Sequence, residues 1–302
     1  MKDKIRRVYR IFRDEGLRQT VRSVSGYTTN NIHRVYPRSL LGILLNSTRP
    51  SSYIWEFDWD ICCVLDGCRY DTFEQVYKGE STQIRSVGST SQTWIPRTFS
   101  EIDTSNVAYI SANAFSRRAN PDDLAYYHLE PVQKTDYGIE TVSPEILAKR
   151  AINIWRERDQ WDVDQIVVHF MQPHVPFRML PELFEQFEDS WGSSVWKQLQ
   201  SSDIDRSRFF EAYRDNLSWV LEDGVDPILN NCDARIAMTA DHGNAAGEWG
   251  YYGHPRNAPV SSVRNVPWAT VEGTDEGTIS TEVNHNHKNV NLERQLEALG
   301  YR

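Results

Sequence analysis

The sequence has no apolar run long enough to cross a bilayer, and its N-terminus lacks the apolar core of a signal peptide, so a cytoplasmic protein is expected. Cysteine is scarce. There are four in 302 residues; Cys62, Cys63 and Cys68 crowd into one apolar segment and Cys232 stands apart, which argues against a disulfide framework. A basic surplus is missing as well, since 33 Lys and Arg stand against 42 Asp and Glu for a formal net charge of -9. Lysine is the minority among the cations. An acidic chain of this kind lacks the basic face that nucleic-acid phosphates require, so no nucleic-acid partner is expected. No internal repeat is visible, which removes solenoid architectures. What is present, 39% hydrophobic residues, is enough to bury a sizeable globular core.

Positive charge gathers at one end. Lys2, Lys4, Arg6, Arg7, Arg10, Arg13, Arg18 and Arg22 alternate with Ile5, Val8, Tyr9, Phe12, Leu17 and Val21 at helical spacing. Residues 1–25 therefore read as a basic amphipathic helix. Such a helix suits peripheral contact with an anionic membrane, here the inner face, as well as an ordinary solvated surface. A stretch rich in Asn, Arg, Ser and Pro follows, so residues 1–52 are expected to be helix plus linker and residues 53–302 the main domain.

Within that domain Ile61–Leu65 is an unbroken apolar run ending abruptly in Asp66 and Gly67, the pattern of a fully buried parallel strand. Val107–Ile110, Gln165–Phe170, Arg235–Thr239 and Pro267–Val271 have the same character. Helical patterns lie between them at Trp94–Ile102, Pro144–Glu157 and Arg206–Leu229, with a last one at Leu292–Leu299. Strands alternating with helices predict an α/β fold, a mostly parallel central sheet with helices on both faces. Residues 272–289 read as a surface loop, and the His285, His287 pair inside it as solvated.

Ligands of open parallel sheets gather at the carboxyl ends of the strands. The chemistry-bearing residues stand there. Asp66 follows the first strand, His169 and His174 follow from the third, and Asp241, His242 and then His254 come after the fourth. Carboxylate and imidazole together make a candidate metal site, and that donor mixture suits zinc or manganese. Asp241 and His242 carry the most weight, because two ionisable groups ending a buried strand are costly unless a charge partner is near.

Four motifs in order resemble the alkaline phosphatase and sulfatase superfamily. Leu65-Asp66-Gly67-Cys68-Arg69-Tyr70-Asp71 resembles its first-strand motif, and Asp241-His242-Gly243 its metal-binding signature. His169 through the Pro173-His174-Val175-Pro176 loop to Phe177 is similar to the sulfatase Pro-His-x-Pro loop, and Gly247 to His254 to the segment that follows the signature. Together they frame residues 55–300. The resemblance implies an alkaline-phosphatase-like sheet, Asp66, Asp241 and His242 as ligands of one divalent ion with His254 as a further ligand or substrate contact, and a hydroxyl nucleophile after the first strand. Ser91 is favoured, with Thr93 and Ser89 as rivals, in a hydroxyl-rich turn that leads into a helix whose N–H groups can hold an anion. His174, His169 and Arg69 are the candidate substrate contacts.

Two departures sharpen the expectation. The Cys/Ser-x-Pro-x-Arg motif of formylglycine sulfatases is absent after the first strand, which shifts weight to phosphoryl chemistry. Phe170 stands where two-metal relatives carry an Asp, so one metal site is favoured. The expected activity is metal-dependent hydrolysis or transfer of a phosphate or sulfate ester, small or linked to a glycan or lipid. The competing readings are a non-catalytic binding protein on the same fold and a phosphomutase-like isomerase.

Overall fold

A computed structural model describes residues 50–182, 193–201, 203–280, 292, 293 and 296. The basic helix expected over 1–25 and the His285, His287 pair lie outside the described residues, as does most of the last expected helix.

Eleven strands are described: β1 (Ile61–Leu65), β2 (Thr82–Arg85), β3 (Val107–Ser111), β4 (Tyr126–Leu129), β5 (Gln133–Lys134), β6 (Glu140–Thr141), β7 (Gln165–Phe170), β8 (Arg235–Thr239), β9 (Ala245–Ala246), β10 (Tyr252–Gly253) and β11 (Asn265–Glu272). Seven form one sheet in the order β2-β11-β8-β1-β7-β3-β4, and the other four pair as two short ribbons. The pairs β8-β1, β1-β7, β7-β3 and β3-β4 are parallel. The mostly parallel α/β sheet expected from the sequence is the one observed.

Side-chain alternation sorts β1 between two cores. Ile61, Cys63 and Leu65 pack with the helix Pro144–Arg156 and with Leu217 and Val220 of the helix Arg206–Val220. Cys62 and Val64 point the other way, onto Trp94, Ile95 and Phe99 of the helix Ser91–Phe99. Both faces are covered, which is why the central strands read as continuous apolar runs rather than alternating ones. All four cysteines are free and buried.

Three differences have physical causes. The Pro267–Val271 run, grouped with the parallel strands by its apolar content, is the core of β11, which runs antiparallel to both β8 and β2; strand direction is set by the connection, not by hydropathy. β2 escaped notice because Thr82-Gln83-Ile84-Arg85 is an exposed-to-half-buried edge strand with no apolar run. The Arg206–Leu229 helix is three pieces, with a π-turn at Leu221–Val225. That turn sets Gly224 against Phe170, where a Cβ would meet the Phe170 ring at 2.9 Å.

The centre of the sheet holds the most cooperative packing. Ile166, in β7 between β1 and β3, is fully buried, so Ile166→Ala is expected to cost about 2–5 kcal/mol in urea unfolding. A loss below about 1 kcal/mol would show that this layer is not the core.

Candidate metal and ester-transfer site

The carboxyl ends of β8, β1, β7 and β3 lie side by side, and the segments leaving these strands converge. Asp66, Asp241 and His242 are buried and offer one ligand atom apiece, all within 4.8 Å of one another. His242 Nε2 is 3.4 Å from Asp241 Oδ2 and 3.8 Å from Asp66 Oδ1. His169 Nε2 sits 3.8 Å from Asp66 Oδ2 and 3.7 Å from Asp241 Oδ2. His169 thus belongs beside the carboxylates, a place that its reading as a substrate contact did not anticipate.

Each member is aimed by a neighbour. His242 Nδ1 lies 3.0 Å from the Gly243 carbonyl, which holds that nitrogen as the donor and leaves Nε2 its lone pair. His169 Nδ1 pairs with the Tyr109 hydroxyl at 2.8 Å. Asp241 Oδ1 accepts from the Gly67 and His242 N–H groups at 3.0 and 2.8 Å. Asp66 Oδ2 accepts from Asn113 Nδ2 at 2.6 Å. Gly67 takes φ +67°, and its Cβ, were there one, would meet Asn244 Nδ2 at 2.5 Å; a glycine is needed for the chain to leave β1 this tightly.

Two atoms in the middle are orphans. Asp66 Oδ1 and His169 Nε2 are buried with no hydrogen-bond partner. Buried polar atoms are normally satisfied, so two left unpaired within this carboxylate and imidazole cluster fit a bound cation. Oxygen and imidazole nitrogen are the donors that zinc and manganese accept, and the residues present therefore fit a divalent metal.

The three candidate hydroxyls separate cleanly. Ser91 Oγ, at the first turn of the helix Ser91–Phe99, donates to Asp241 Oδ2 at 2.6 Å and lies 3.4 Å from His242 Nε2. Thr93 Oγ1 turns back onto the Thr90 carbonyl at 2.9 Å, and Ser89 Oγ accepts from the Asn257 N–H at 2.9 Å. The turn beneath Ser91 is anchored to the same strand end, because Ser86 Oγ donates to the Asp241 carbonyl.

His174 and His254 form the outer layer. Their Nε2 atoms are 3.1 Å apart, and His174 Nδ1 is held by the Val175 carbonyl at 3.0 Å. The His254 ring lies between those of His174 and His242, at centroid distances of 5.2 and 4.4 Å. Arg69 is fully engaged: Nε donates to Asp71 Oδ1 at 2.8 Å, and Nη1 to Glu248 Oε1 at 2.8 Å and to the Asn244 carbonyl at 2.9 Å. Two carboxylates neutralise it, which fits a brace for the site more than a hand for substrate.

Sequence reasoning overlooked Asn113, Tyr109 and Asn244. Asn113 had a usable signal, standing two residues beyond β3, where the strand-end rule applied to the other strands would have found it. Tyr109 lies inside a buried strand and had none.

Burial dominates the protonation behaviour. It lowers His169 and His174 to about 4 each, and it carries His254 well below the usual imidazole range with help from His242 and His174. Asp66 is pushed well above the ordinary carboxyl range by burial and then by the Asp241 charge. Asp241 is held down: burial works against its charge, but His242, His169 and the Ser91 and Gly67 hydrogen bonds outweigh it.

No protein-family model and no curated protein sequence matches the chain. Solved structures do. The soluble domain of lipooligosaccharide phosphoethanolamine transferase A from Neisseria meningitidis matches at 14% identity over 70% of this chain and 75% of that one, with a TM-score of 0.47. The C-terminal periplasmic domain of EcEptC from Escherichia coli, in complex with zinc, matches at 9% identity over 71% and 72%, TM-score 0.46. The lipoteichoic acid synthase LtaP from Listeria monocytogenes matches at 13% identity over 76% and 71%, TM-score 0.39. The cytoplasmic placement expected from the sequence is not borne out: the Escherichia coli match and a phosphoethanolamine transferase EptC from Campylobacter jejuni are both C-terminal periplasmic domains. Its physical basis was weak, since scarce disulfides and a missing spanning segment say nothing about the side of a membrane on which a domain works.

Two outcomes test the site. Replacing Asp241 by Asn is expected to weaken zinc or manganese binding by at least about 100-fold in titration calorimetry; unchanged affinity would remove the metal site. In chelator-treated protein, stability is expected to fall with pH between the ordinary imidazole value of 6.5 and about 4. In that window the unfolded chain protonates His169, His174 and His254 while the folded one resists. Asp66 opposes this, since its folded form keeps a proton that the unfolded form releases near 3.8. A His169→Gln, His174→Gln double variant is therefore expected to flatten the acid side of the melting curve between pH 6.5 and 4, and an unchanged curve would contradict it. In fold, the chain is similar to phosphoethanolamine transferase domains and to a lipoteichoic acid synthase.

Proposed function

We propose that the protein is a metal-dependent hydrolase or transferase of phosphate esters in which Ser91 is the nucleophile. The single observation that carries this reading is the Ser91 hydroxyl, buried, 2.6 Å from Asp241 Oδ2 and 3.4 Å from His242 Nε2, two of the three clustered candidate ligands. A serine that only capped a helix would turn its oxygen to its own backbone N–H groups; this one turns it to a carboxylate and an imidazole.

Asp66, Asp241 and His242, with His169 beside them, would hold the divalent ion, which when bound supplies a Lewis acid that favours the alkoxide and offsets charge on the transferred group. The chain's own groups do the rest. Asp241 Oδ2 accepts the Ser91 hydrogen bond and so fixes the direction of the Oγ lone pairs. Attack of Ser91 Oγ on phosphorus forms a Ser91 phosphoester while the bond to the departing oxygen breaks on the opposite side; the hydroxyl proton passes to Asp241 Oδ2 and from there, through solvent, to the departing oxygen, which leaves as an alcohol. His174 and His254, neutral at pH 7 and paired through their Nε2 atoms, wall the outer side of the site and position the ester rather than protonate it. Water or a second alcohol then attacks the phosphoester and restores Ser91. Arg69 keeps the loops after β1 and β8 in register through Asp71, Asn244 and Glu248.

Phosphate is favoured over sulfate because an unmodified serine hydroxyl stands at the nucleophile position and the formylglycine motif is absent. The structures the chain is similar to are named as a phosphoethanolamine transferase and a lipoteichoic acid synthase. A panel of phosphate monoesters and diesters, assayed with zinc, manganese and magnesium, tests it. Ser91→Ala is expected to lower kcat by at least about 1,000-fold while leaving zinc or manganese binding in place, and intact-mass spectrometry of the quenched wild type should show phosphorylation at Ser91. Tight metal binding with no turnover of any ester would favour the non-catalytic alternative.

A further inference from the structure

We infer that Trp249, at the tip of the hairpin β9–β10, and the cavity that Ala246 and Tyr252 of the same hairpin help to line form a subsite for a pyranose ring carried by the alcohol portion of the ester, an inference that rests on the ester-transfer reading above. The hairpin β9–β10 is bounded by the site itself. Asn244, which donates to the Gly67 carbonyl, stands just before β9, and His254 directly follows β10. Its tip is the Glu248–Gly250 turn that joins the two strands. At that tip Trp249 is 85% exposed, the most exposed of the large hydrophobic residues described.

The exposure is held in place rather than incidental. Trp249 takes φ +53°, a left-handed conformation unfavourable for a bulky residue. The turn is closed by Gly247 N–H to the Tyr251 carbonyl at 2.8 Å and Tyr251 N–H to the Glu248 carbonyl at 2.9 Å. Glu248 ties it down by accepting from Arg69 at 2.8 Å, Arg206 at 3.3 Å and the Ala246 N–H at 2.6 Å. Because Arg69 also holds the Asn244 carbonyl, the tip is braced directly against the site. An indole presented on a strained, three-way-braced turn is preorganised for a planar contact.

Beside the hairpin lies a cavity of about 400 Å³, lined by Leu199, Ile204, Asp205, Arg206, Ala246 and Tyr252. That volume falls within the roughly 300–1,000 Å³ of small-molecule sites. Its chemistry is divided. Leu199, Ile204 and Ala246 supply apolar wall, whereas Asp205 and Arg206 bring opposite charges to one place. Asp205 Oδ1 accepts from the Ser207 N–H and hydroxyl, both at 2.6 Å, which fixes the carboxylate at the cavity wall. An acyl chain entering here would strip water from two charges without repaying it. A pyranose matches both halves: its C–H face lies on indole or apolar wall, and its hydroxyls donate to carboxylate and accept from guanidinium.

The test compares wild type with Trp249→Ala and Trp249→Phe on a hexose phosphate and on a short alkyl phosphate. The alanine variant is expected to raise KM for the hexose ester about tenfold or more and leave the alkyl ester unchanged, with phenylalanine in between. Equal effects on both esters, or none on either, would overturn the subsite. Should no ester turn over, the ester-transfer reading fails, and calorimetric titration with hexose phosphate and methyl glycoside still decides the subsite: saturable binding lost in Trp249→Ala upholds it, and no binding to wild type refutes it. Loss of binding to anionic phospholipid vesicles or to a nucleoside monophosphate in Trp249→Ala, with hexose affinity unaltered, would assign the indole to that other ligand and refute the pyranose.

Discussion

Two carboxylates that the fold refuses to separate govern this molecule. Asp66 and Asp241 leave neighbouring parallel strands at the same level, and the β1–β8 register brings them together in the interior. Like charges in a medium of low polarity repel strongly, and the surrounding structure is largely an answer to that repulsion. Asn113, Ser91 and the Gly67 N–H donate to the pair, and His169 and His242 flank it. One carboxyl is held down and the other forced up, the signature of a pair that cannot both be charged unless a cation joins them.

The sheet explains why such a pair can be built at all. Parallel strands bring several chain segments to one edge, where helix starts and tight turns supply N–H groups. Here the turn at Gly67, the helix start at Ser91 and the loop at Asn113 come from three different connections yet meet the same two carboxylates. Bonds from Tyr213 and Asn244 to the Gly67 carbonyl lock the first of these turns to the helix Arg206–Val220 and to the loop after β8. Arg69 then links that loop to the hairpin tip through Glu248. Geometry at the centre and exposure at the rim are therefore parts of one hydrogen-bonded frame.

The proposed division of labour follows from depth. The deepest groups, Asp66, Asp241, His169 and His242, are fully or almost fully buried and suited to an ion. Ser91 sits against them, His174 and His254 lie one layer farther out, and Trp249 stands in solvent. An ester entering from the Trp249 side would thus meet recognition before chemistry.

By itself the sequence determined the α/β class, most of the central strands and the residues at their ends, because a strand buried on both faces must be apolar throughout and an ionisable residue at its end has few inexpensive fates. Asp66, Asp241 and His242 were legible for that reason. It favoured Ser91 over its rivals Ser89 and Thr93, but only the helix start shows which of the three hydroxyls turns to Asp241. It could not place His169 beside the carboxylates, recruit Tyr109 and Asn113, or turn β11 against its neighbours. Those choices depend on register and on contacts between residues far apart in the chain, and only tertiary packing decides them.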